Sequence, residues 1–236
     1  MAQNMMFDHT MVSGFEAAIR GARNPYNSHA KMDSIGDNLG AADKDLMVRL
    51  IKAGSEHRKF MRYIHVSVDV TAPFYWWKEY DTYKISTTAN SESTMHTIHK
   101  KEINLNLFAT EDFHPELVVR EADYNPDLDT KIGEVVNIYM EMLEGLRRKY
   151  LELNAEESTK EKAKIYWKEI IRWLPSGFLQ MRTLDLNYET IYRILRQRRG
   201  HKLSEWTKDF INWAKTLPYA EELLFCDDLK DLYNKE

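Results

Sequence analysis

Between Lys78 and His96 the chain reads KEYDTYKISTTANSESTMH. Lysines, an asparagine and a run of hydroxyl side chains at this density suit an oxyanion. Short donors and exposed backbone N–H groups hold phosphate oxygens, and lysines add charge. The same composition also describes a solvated surface loop, because Ser, Thr and Asn side chains compete with the backbone for hydrogen bonds. A second polar group lies far along the chain. Glu169 and Arg172 stand at i, i+3 before Pro175, followed by Asn187, Arg193, Arg196, Arg198, Arg199, His201 and Lys202. Arginine grips phosphate or a pyrimidine edge through a bidentate fork. Acid–base pairs at i, i+3 and arginines near a helix end are also ordinary helix decoration. The cations from Arg193 to Lys202 nevertheless exceed what one helix terminus requires.

Other chemistries have little support. Cys226, the lone cysteine, sits in LLFCDD, where two acids raise a thiol's pKa and leave it inert. There is no P-loop, no GxGxxG and no Cys/His metal spacing, and His96 and His99 lack a third ligand. A single cysteine fits a reducing compartment. A net charge of −4 gives no global field toward a nucleic-acid polymer or a membrane. Asp8 and His9 interrupt any signal-peptide core, and no apolar run reaches membrane-spanning length, so a soluble cytoplasmic protein is expected. Six Trp, thirteen Tyr and nine Phe suit a large core, an oligomer interface or a flat aromatic ligand.

The elements that must position these residues follow from periodicity. Phe15, Ala18 and Ile19 line a short helix; Gly21 to Ser28 reads as a turn and Asp33 to Gly40 as a loop. From Asp43, Leu46, Met47, Leu50 and Ile51 share a helix face that Gly54 stops. Ile64, Val66, Val68 and Val70 then alternate with polar residues as a half-buried strand ending at Pro73. Phe74 to Tyr80 reads either as a helical turn or as a second extended piece. Ile132 to Leu146 predicts a long amphipathic helix capped by Asp129 or Thr130, with Ile132, Val135, Val136, Tyr139, Met142, Leu143 and Leu146 inward. Further helices are expected at Ser158–Trp173, Asn187–Arg199 and Ser204–Leu217, the last closed by Pro218. With no repeat, linker or composition shift, the expectation is a single domain over 1–236, of α+β class, with a central mixed β-sheet flanked by helices.

Taken together, these segments resemble the flavin-dependent thymidylate synthases, the ThyX family, whose signature reads R-H-R-x-x-S-x-N-x-x-S-x-R. Asn90, Ser93 and Met95 fall at the spacing of its second half. Anchored on Ala72-Pro73, Lys78 and Glu79 fall where the family carries Arg-Gln, and Thr82, Tyr83 and Lys84 stand where it has R-H-R, with one extra residue before Asn90. Glu56-His57 is similar to the family's F-E-H segment. Glu169-Ile-Ile-Arg172-Trp-Leu-Pro175 resembles E-x-A-R-x-x-L-P, one residue shorter, and Ser204 to Trp206 resembles A-Q-W. Asn187 and Arg198 take the places of a flavin-contacting asparagine and a pyrimidine-contacting arginine. The likeness runs in order over roughly residues 40–215, with its most diagnostic motif altered.

The resemblance implies a ThyX-like fold, a homotetramer with active sites between subunits, and FAD as cofactor. It implies methylation of dUMP to dTMP, with methylenetetrahydrofolate giving the one-carbon group and NADPH reducing the flavin. By carry-over, Ser93 and Arg172 hold the nucleotide phosphate, Lys78 and Glu79 join the substrate site, and Arg198 faces the uracil as the catalytic candidate. His57, Lys84, Asn90 and Asn187 touch flavin. The departures carry physical consequences. Lys84 keeps a charge but loses the guanidinium fork, and Tyr83 removes a titratable ring. Met95 deletes a phosphate contact worth roughly 1.5–3 kcal/mol. Glu79 in place of Gln is an acceptor only, which suits a base edge presenting an amine, and so a pyrimidine nucleotide other than dUMP. The rival readings are a non-catalytic descendant of the fold that binds a nucleotide or a protein, and a helical interaction protein whose arginines meet an acidic partner.

Overall fold

A computed structural model describes residues 4–234. The helix expected near Phe15 is α1 (Phe15–Arg23), followed by 3-10 turns rather than a plain turn. α2 (Ala41–Lys52) buries Asp43, Met47 and Ile51, and Gly54 adopts φ 116 just beyond it, a left-handed value that glycine takes without a Cβ clash. The alternating run is strand β2 (His65–Pro73), whose Val66, Val68, Val70 and Ala72 are buried. Phe74–Tyr80 settles as a helix, α3, with Trp76, Trp77 and Tyr80 inside.

Two long strands of the main sheet went unread in the sequence. β1 (Met6–Ser13) has no clean alternation and is mostly exposed. β6 (Leu179–Asn187) has polar residues scattered along it and buries Gln180, Leu184, Leu186 and Asn187. With β3 (Thr88–Ser91) they complete a four-stranded sheet of order β1-β2-β6-β3. The stretch expected to be one polar loop therefore contains the end of α3, the strand β3 and a single helical turn, α4 (Thr94–Thr97).

β4 (Val118–Arg120) and β5 (Thr130–Lys131) pair antiparallel ahead of α5 (Ile132–Asn154). The cap of α5 is not Asp129 or Thr130. Lys131 holds that place, its backbone N–H donating to Glu134 Oε2 at 3.3 Å. Its expected inward face is only partly covered: Leu143 is fully buried, while Val135 and Met142 are 45% and 42% exposed; Ile138, outside that face, is 68% exposed. α6 (Lys160–Trp173) packs along α5. α7 (Tyr188–Arg198) starts where expected, because the Asn187 side chain accepts from the Thr190 backbone N–H at 3.0 Å. The helix expected over 204–217 splits into a π-helical turn, Glu205–Phe210, and α8 (Ile211–Lys215). Short turns α9 (Ala220–Leu223) and α10 (Lys230–Tyr233) follow.

The chain forms two compact units. The first comprises Thr71–Lys78 and Ser91–Met181 with residues 4 and 5, and its core gathers Ile98, Ile103, Phe108, Leu143, Ile170 and Phe178. The second comprises Met6–Val70, Glu79–Asn90 and residues 182–234. It buries the alternating face of β2, both α1 and α2 inner faces, and most of α7. No helix is long and apolar enough to cross a membrane among the described residues.

Candidate functional site

In the second unit, α7 and the residues after α3 build a cage around Arg198. Its Nη1 lies 2.9 Å from Glu79 Oε2, and its Nε donates to the Tyr83 hydroxyl at 2.9 Å. The guanidinium carbon sits 4.9 Å from the Trp206 ring centroid and 5.5 Å from that of Tyr83, within cation–π range. Glu79 Oε2 also accepts from Trp206 Nε1 at 2.8 Å and stands 3.3 Å from His201 Nε2. Trp206 is fully buried and Tyr83 is 8% exposed, so the cage floor is dry. Two of the residues that depart from the family pattern, Glu79 and Tyr83, thus both fix the arginine that the resemblance assigns to the base. The acceptor that Glu79 would offer to an amine on a base is engaged by the chain itself.

Beside the cage opens a cleft of about 310 Å³, walled by residues 82–85 on one side and by Arg193, Gln197 and Arg198 on the other. Lys84 is exposed on this wall. Arg193 Nε is buried and makes no hydrogen bond.

The surplus of arginines noted in the sequence is largely used elsewhere in the same unit. Arg196 Nη1 bonds Asp228 at 2.6 Å and Asp227 at 3.1 Å, and Arg199 Nη2 bonds Asp231 at 2.6 Å. The Tyr192 hydroxyl donates to Asp227 at 2.6 Å. Burial alone would raise the Asp227 carboxyl, but Tyr192 and Arg196 hold it below its ordinary value. These acids clasp the segment after Cys226 onto α7. Cys226 itself is 7% exposed, and its thiol is pushed up to about 11 by burial and by Asp227, which agrees with an inert cysteine.

The remaining second-unit candidates are separate from the cage. His57 is exposed at the start of a 3-10 turn and lines a hollow of about 590 Å³ with Glu56, Lys59, Arg62 and Tyr63. Asn90 is exposed on β3, and Asn187 is 5% exposed with its side-chain oxygen committed to capping α7.

In the first unit the loop around Ser93 is held by its backbone. Glu92 N–H donates to the Met181 carbonyl at 2.9 Å, and Gln180 Nε2 donates to the Glu92 carbonyl at 2.9 Å and to Thr94 Oγ1 at 3.2 Å. Trp167 Nε1, on α6, donates to the Met95 carbonyl at 3.2 Å. The Ser93 hydroxyl is left exposed and caps nothing. Arg172, 52% exposed, pairs with Glu169 at 2.5 Å. Lys78 is exposed on α3. Among the described residues no hydrogen bond joins Arg172 to Ser93. Sequence reasoning missed the support from Gln180 and the floor made by Trp206. The signal for Trp206 was its A-Q-W-like context; for Gln180 there was none. Among the described residues no group of His, Cys, Asp and Glu could hold a metal ion.

No family model matches the chain, and no curated protein matches it in sequence. Solved structures do. The chain is similar to thymidylate synthase X (ThyX) from Helicobacter pylori, solved with FAD and dUMP, with a TM-score of 0.62 at 17% identity over 96% of this chain and 99% of that one. A second Helicobacter pylori ThyX structure, also complexed with FAD and dUMP, gives 0.61 at 17% identity over 96% and 100%. PolB from Streptomyces cacaoi, a UMP/dUMP methylase bound with 5-Br dUMP, gives 0.50 at 14% identity over 82% and 77%. The chain therefore has the α+β fold of the flavin-dependent thymidylate synthases.

Proposed function

We propose that this protein is a divergent flavin-dependent methylase of a pyrimidine nucleotide, converting dUMP to dTMP or carrying out a closely related modification. The observation that carries the reading is Arg198, fixed in orientation by Glu79, Tyr83 and Trp206 at the wall of a cation-lined cleft, in a chain of this fold. A guanidinium held on two edges and stacked on an indole presents its remaining N–H groups without reorganisation, as base recognition and charge stabilisation both require. In this reading Arg198 donates to the pyrimidine carbonyls, and Glu79 and Tyr83 are positioning residues for it. Ser93 and Arg172 hold nucleotide phosphate with Lys78 nearby, Arg172 leaving Glu169 to do so. His57, Lys84, Asn90 and Asn187 are assigned to flavin.

The donor set fits a phosphate-bearing cofactor such as FAD, because the cleft is lined by Lys84, Arg193 and Gln197 with no carboxylate among its lining residues. Its volume matches one part of a dinucleotide rather than the whole. When bound, reduced FAD supplies the hydride that turns a transferred methylene into a methyl group, with methylenetetrahydrofolate and NADPH as co-substrates. The chain's part is to exclude water at Trp206 and Tyr83 and to keep the arginine aligned.

We also propose that residues 1–236 act as one domain, since the chain passes between its two units inside β2, α3, β3 and β6 rather than in linkers. The exposed apolar stripe Val135, Ile138 and Met142 on α5 suits the contacts of a homotetramer. Light scattering on the purified chain tests that assembly, and a monomer at micromolar concentration would remove it.

A second reading, a nucleotide- or protein-binding descendant without catalysis, draws on two observations. Met95 offers no charge in the phosphate loop, and Glu79 offsets the charge of Arg198. Flavin uptake and tritium release from C5-labelled dUMP separate the two. A yellow protein that releases tritium in the presence of the folate and NADPH is expected. A yellow protein that releases none is a flavin-binding relic of the fold, and a protein that takes up no flavin sinks the first reading and favours the second.

A further inference from the structure

The first unit keeps apolar surface in the open on two adjoining features. One is a hollow of about 260 Å³, framed by the segment before β4 and by the start of α5. Leu105, Phe108, Phe113, Val136 and Met140 are among its walls, and no charged side chain lines it. That space accepts an apolar group and rejects a phosphate or carboxylate, whose desolvation nothing there would offset. The other feature is the hairpin of β4 and β5. Leu117, Val118, Val119 and Leu128 are exposed on it, and Tyr124 is fully so. β4 pairs with β5 alone among the described residues, which leaves one of its edges without a neighbouring strand.

The hollow and the hairpin meet at the hairpin root. Gly133 lies so close to Pro115 that an added Cβ would come within 2.8 Å of the proline ring. Phe113 and Val135, each two residues outside that contact, both line the hollow. The tip is held by its own turn: Asn125 Oδ1 accepts from the Asp127 N–H at 3.0 Å, and Asp129 Oδ1 from the Ala122 N–H at 2.7 Å. The apolar groups are thus presented on an ordered frame.

Charge decides what can cover them. Residues 111–131 hold seven carboxylates against one arginine and one lysine, a stretch more negative than the −4 of the whole chain. Asp227, Asp228 and Asp231 are answered by arginines of α7. Glu121, Asp123 and Asp127 instead stand exposed, with no cation of the described residues paired to them. A second copy of this chain would bring the same acids to a two-fold contact, and facing like charges oppose it. Nucleic acid and an anionic membrane surface are repelled for the same reason.

We propose that the hollow and the hairpin form a docking surface for a partner protein. The partner lays an extended segment along β4, seats one apolar side chain in the hollow, and carries lysine or arginine beside it to meet the acids. An apolar centre with a charged rim is the anatomy of such contacts, and an open strand edge beside a side-chain pocket is a recurring mode of peptide capture. Val135 is shared with the α5 stripe assigned above to assembly, so oligomeric state tells the two apart.

The test is selection of a random-peptide phage library on the full-length chain, then titration of the leading synthetic peptide. The natural protein is compared with Ala109→Leu, which fills the hollow, with Val119→Ser, and with Glu121→Lys, Asp123→Lys and Asp127→Lys combined. Enriched peptides are expected to carry an apolar residue among lysines or arginines. Ala109→Leu should weaken binding about tenfold or more, Val119→Ser should weaken it less, and the charge reversal should flatten its salt dependence. Thermal melts report folding; should Ala109→Leu fail to fold, the exposed substitutions carry the comparison. No enrichment, enrichment of acidic peptides, or a peptide bound equally by every variant overturns the proposal. Light scattering that shows a smaller assembly in the variants would make a second copy the occupant, and variant-sensitive binding to phosphatidylserine vesicles would make it a membrane; either result also overturns it. No nucleotide or flavin enters the experiment, so neither outcome bears on the proposed function.

Discussion

The two polar groups that carry the candidate chemistry are built in opposite ways. Around Arg198 the side chains themselves are fixed: two hydrogen-bonded edges, an indole beneath and a shared carboxylate oxygen. Around Ser93 it is the backbone that is fixed, through Gln180, Met181 and Trp167, while the hydroxyl stays open. Arg172 likewise points outward with only its helix neighbour for company. The first arrangement has spent its conformational freedom during folding, and a ligand meets it ready made. The second leaves ordering for the moment of binding, so its contribution to affinity is smaller for the same number of contacts.

If that contrast is right, substitutions should divide sharply between the two. Trp206→Ala removes the fully buried floor of the cage and is expected to cost about 3–5 kcal/mol in chemical denaturation. A loss under about 1 kcal/mol would mean that the cage is not a packed unit. Next comes a control within the first unit. Arg147, the Ile103 backbone N–H and Arg148 hold the Glu144 carboxyl at about 2, against burial, which alone would raise it from its ordinary 4.5. A depressed carboxyl stabilises the fold fully above its unfolded value and loses that stabilisation as pH falls through its folded value. The natural protein should therefore exceed Glu144→Gln in stability near neutrality by on the order of 2–3 kcal/mol, with the gap closing between pH 4.5 and about 2. A gap that stays constant down to pH 2 refutes the linkage.

Glu79→Ala leaves Arg198 and Trp206 Nε1 without their common acceptor. Allowing for the partial exposure of Glu79, about 1–2 kcal/mol is expected, and a double-mutant cycle with Arg198→Ala should show coupling of about 1 kcal/mol. Strict additivity would dissolve the cage into independent contacts. Arg172→Ala sits at the bottom of the scale. An exposed i, i+3 pair contributes roughly 0.2–0.5 kcal/mol, so its melt should barely move while titrated dUMP binds more weakly. A large loss of stability there would place Arg172 in the framework rather than at the ligand.

These differences also mark what could be read from the sequence. β2 was legible because Val66, Val68 and Val70 alternate, and α7 because Asn187 is a good cap ahead of a helical period. β6 was not, since polar Gln180 and Arg182 stand on its inward face and Met181 on its outward one, and its pairing partners lie elsewhere in the chain. The likeness to a family located Arg198, Glu79 and Tyr83 but read Tyr83 as the loss of a titratable ring and Glu79 as an acceptor for an amine-bearing base. Only in three dimensions do the carboxylate and the phenol meet the arginine, across more than a hundred residues of sequence. The aspartates that answer Arg196 and Arg199 are hidden for the same reason, because spacing along a helix says nothing about acids some thirty residues away. Ser93 and Arg172 remain candidates drawn from order and spacing, because an exposed residue leaves no packing signature to read.

The clasp of Asp227, Asp228 and Asp231 over α7 has a practical consequence. Cys226, the chain's single thiol, is buried where that clasp begins, so a thiol-directed dye added to native protein can label the molecule only as fast as that cover lifts. The labelling rate is thus a clock for local opening, and raising the salt, which loosens carboxylate–guanidinium pairs, should make it run faster long before the rest of the molecule melts.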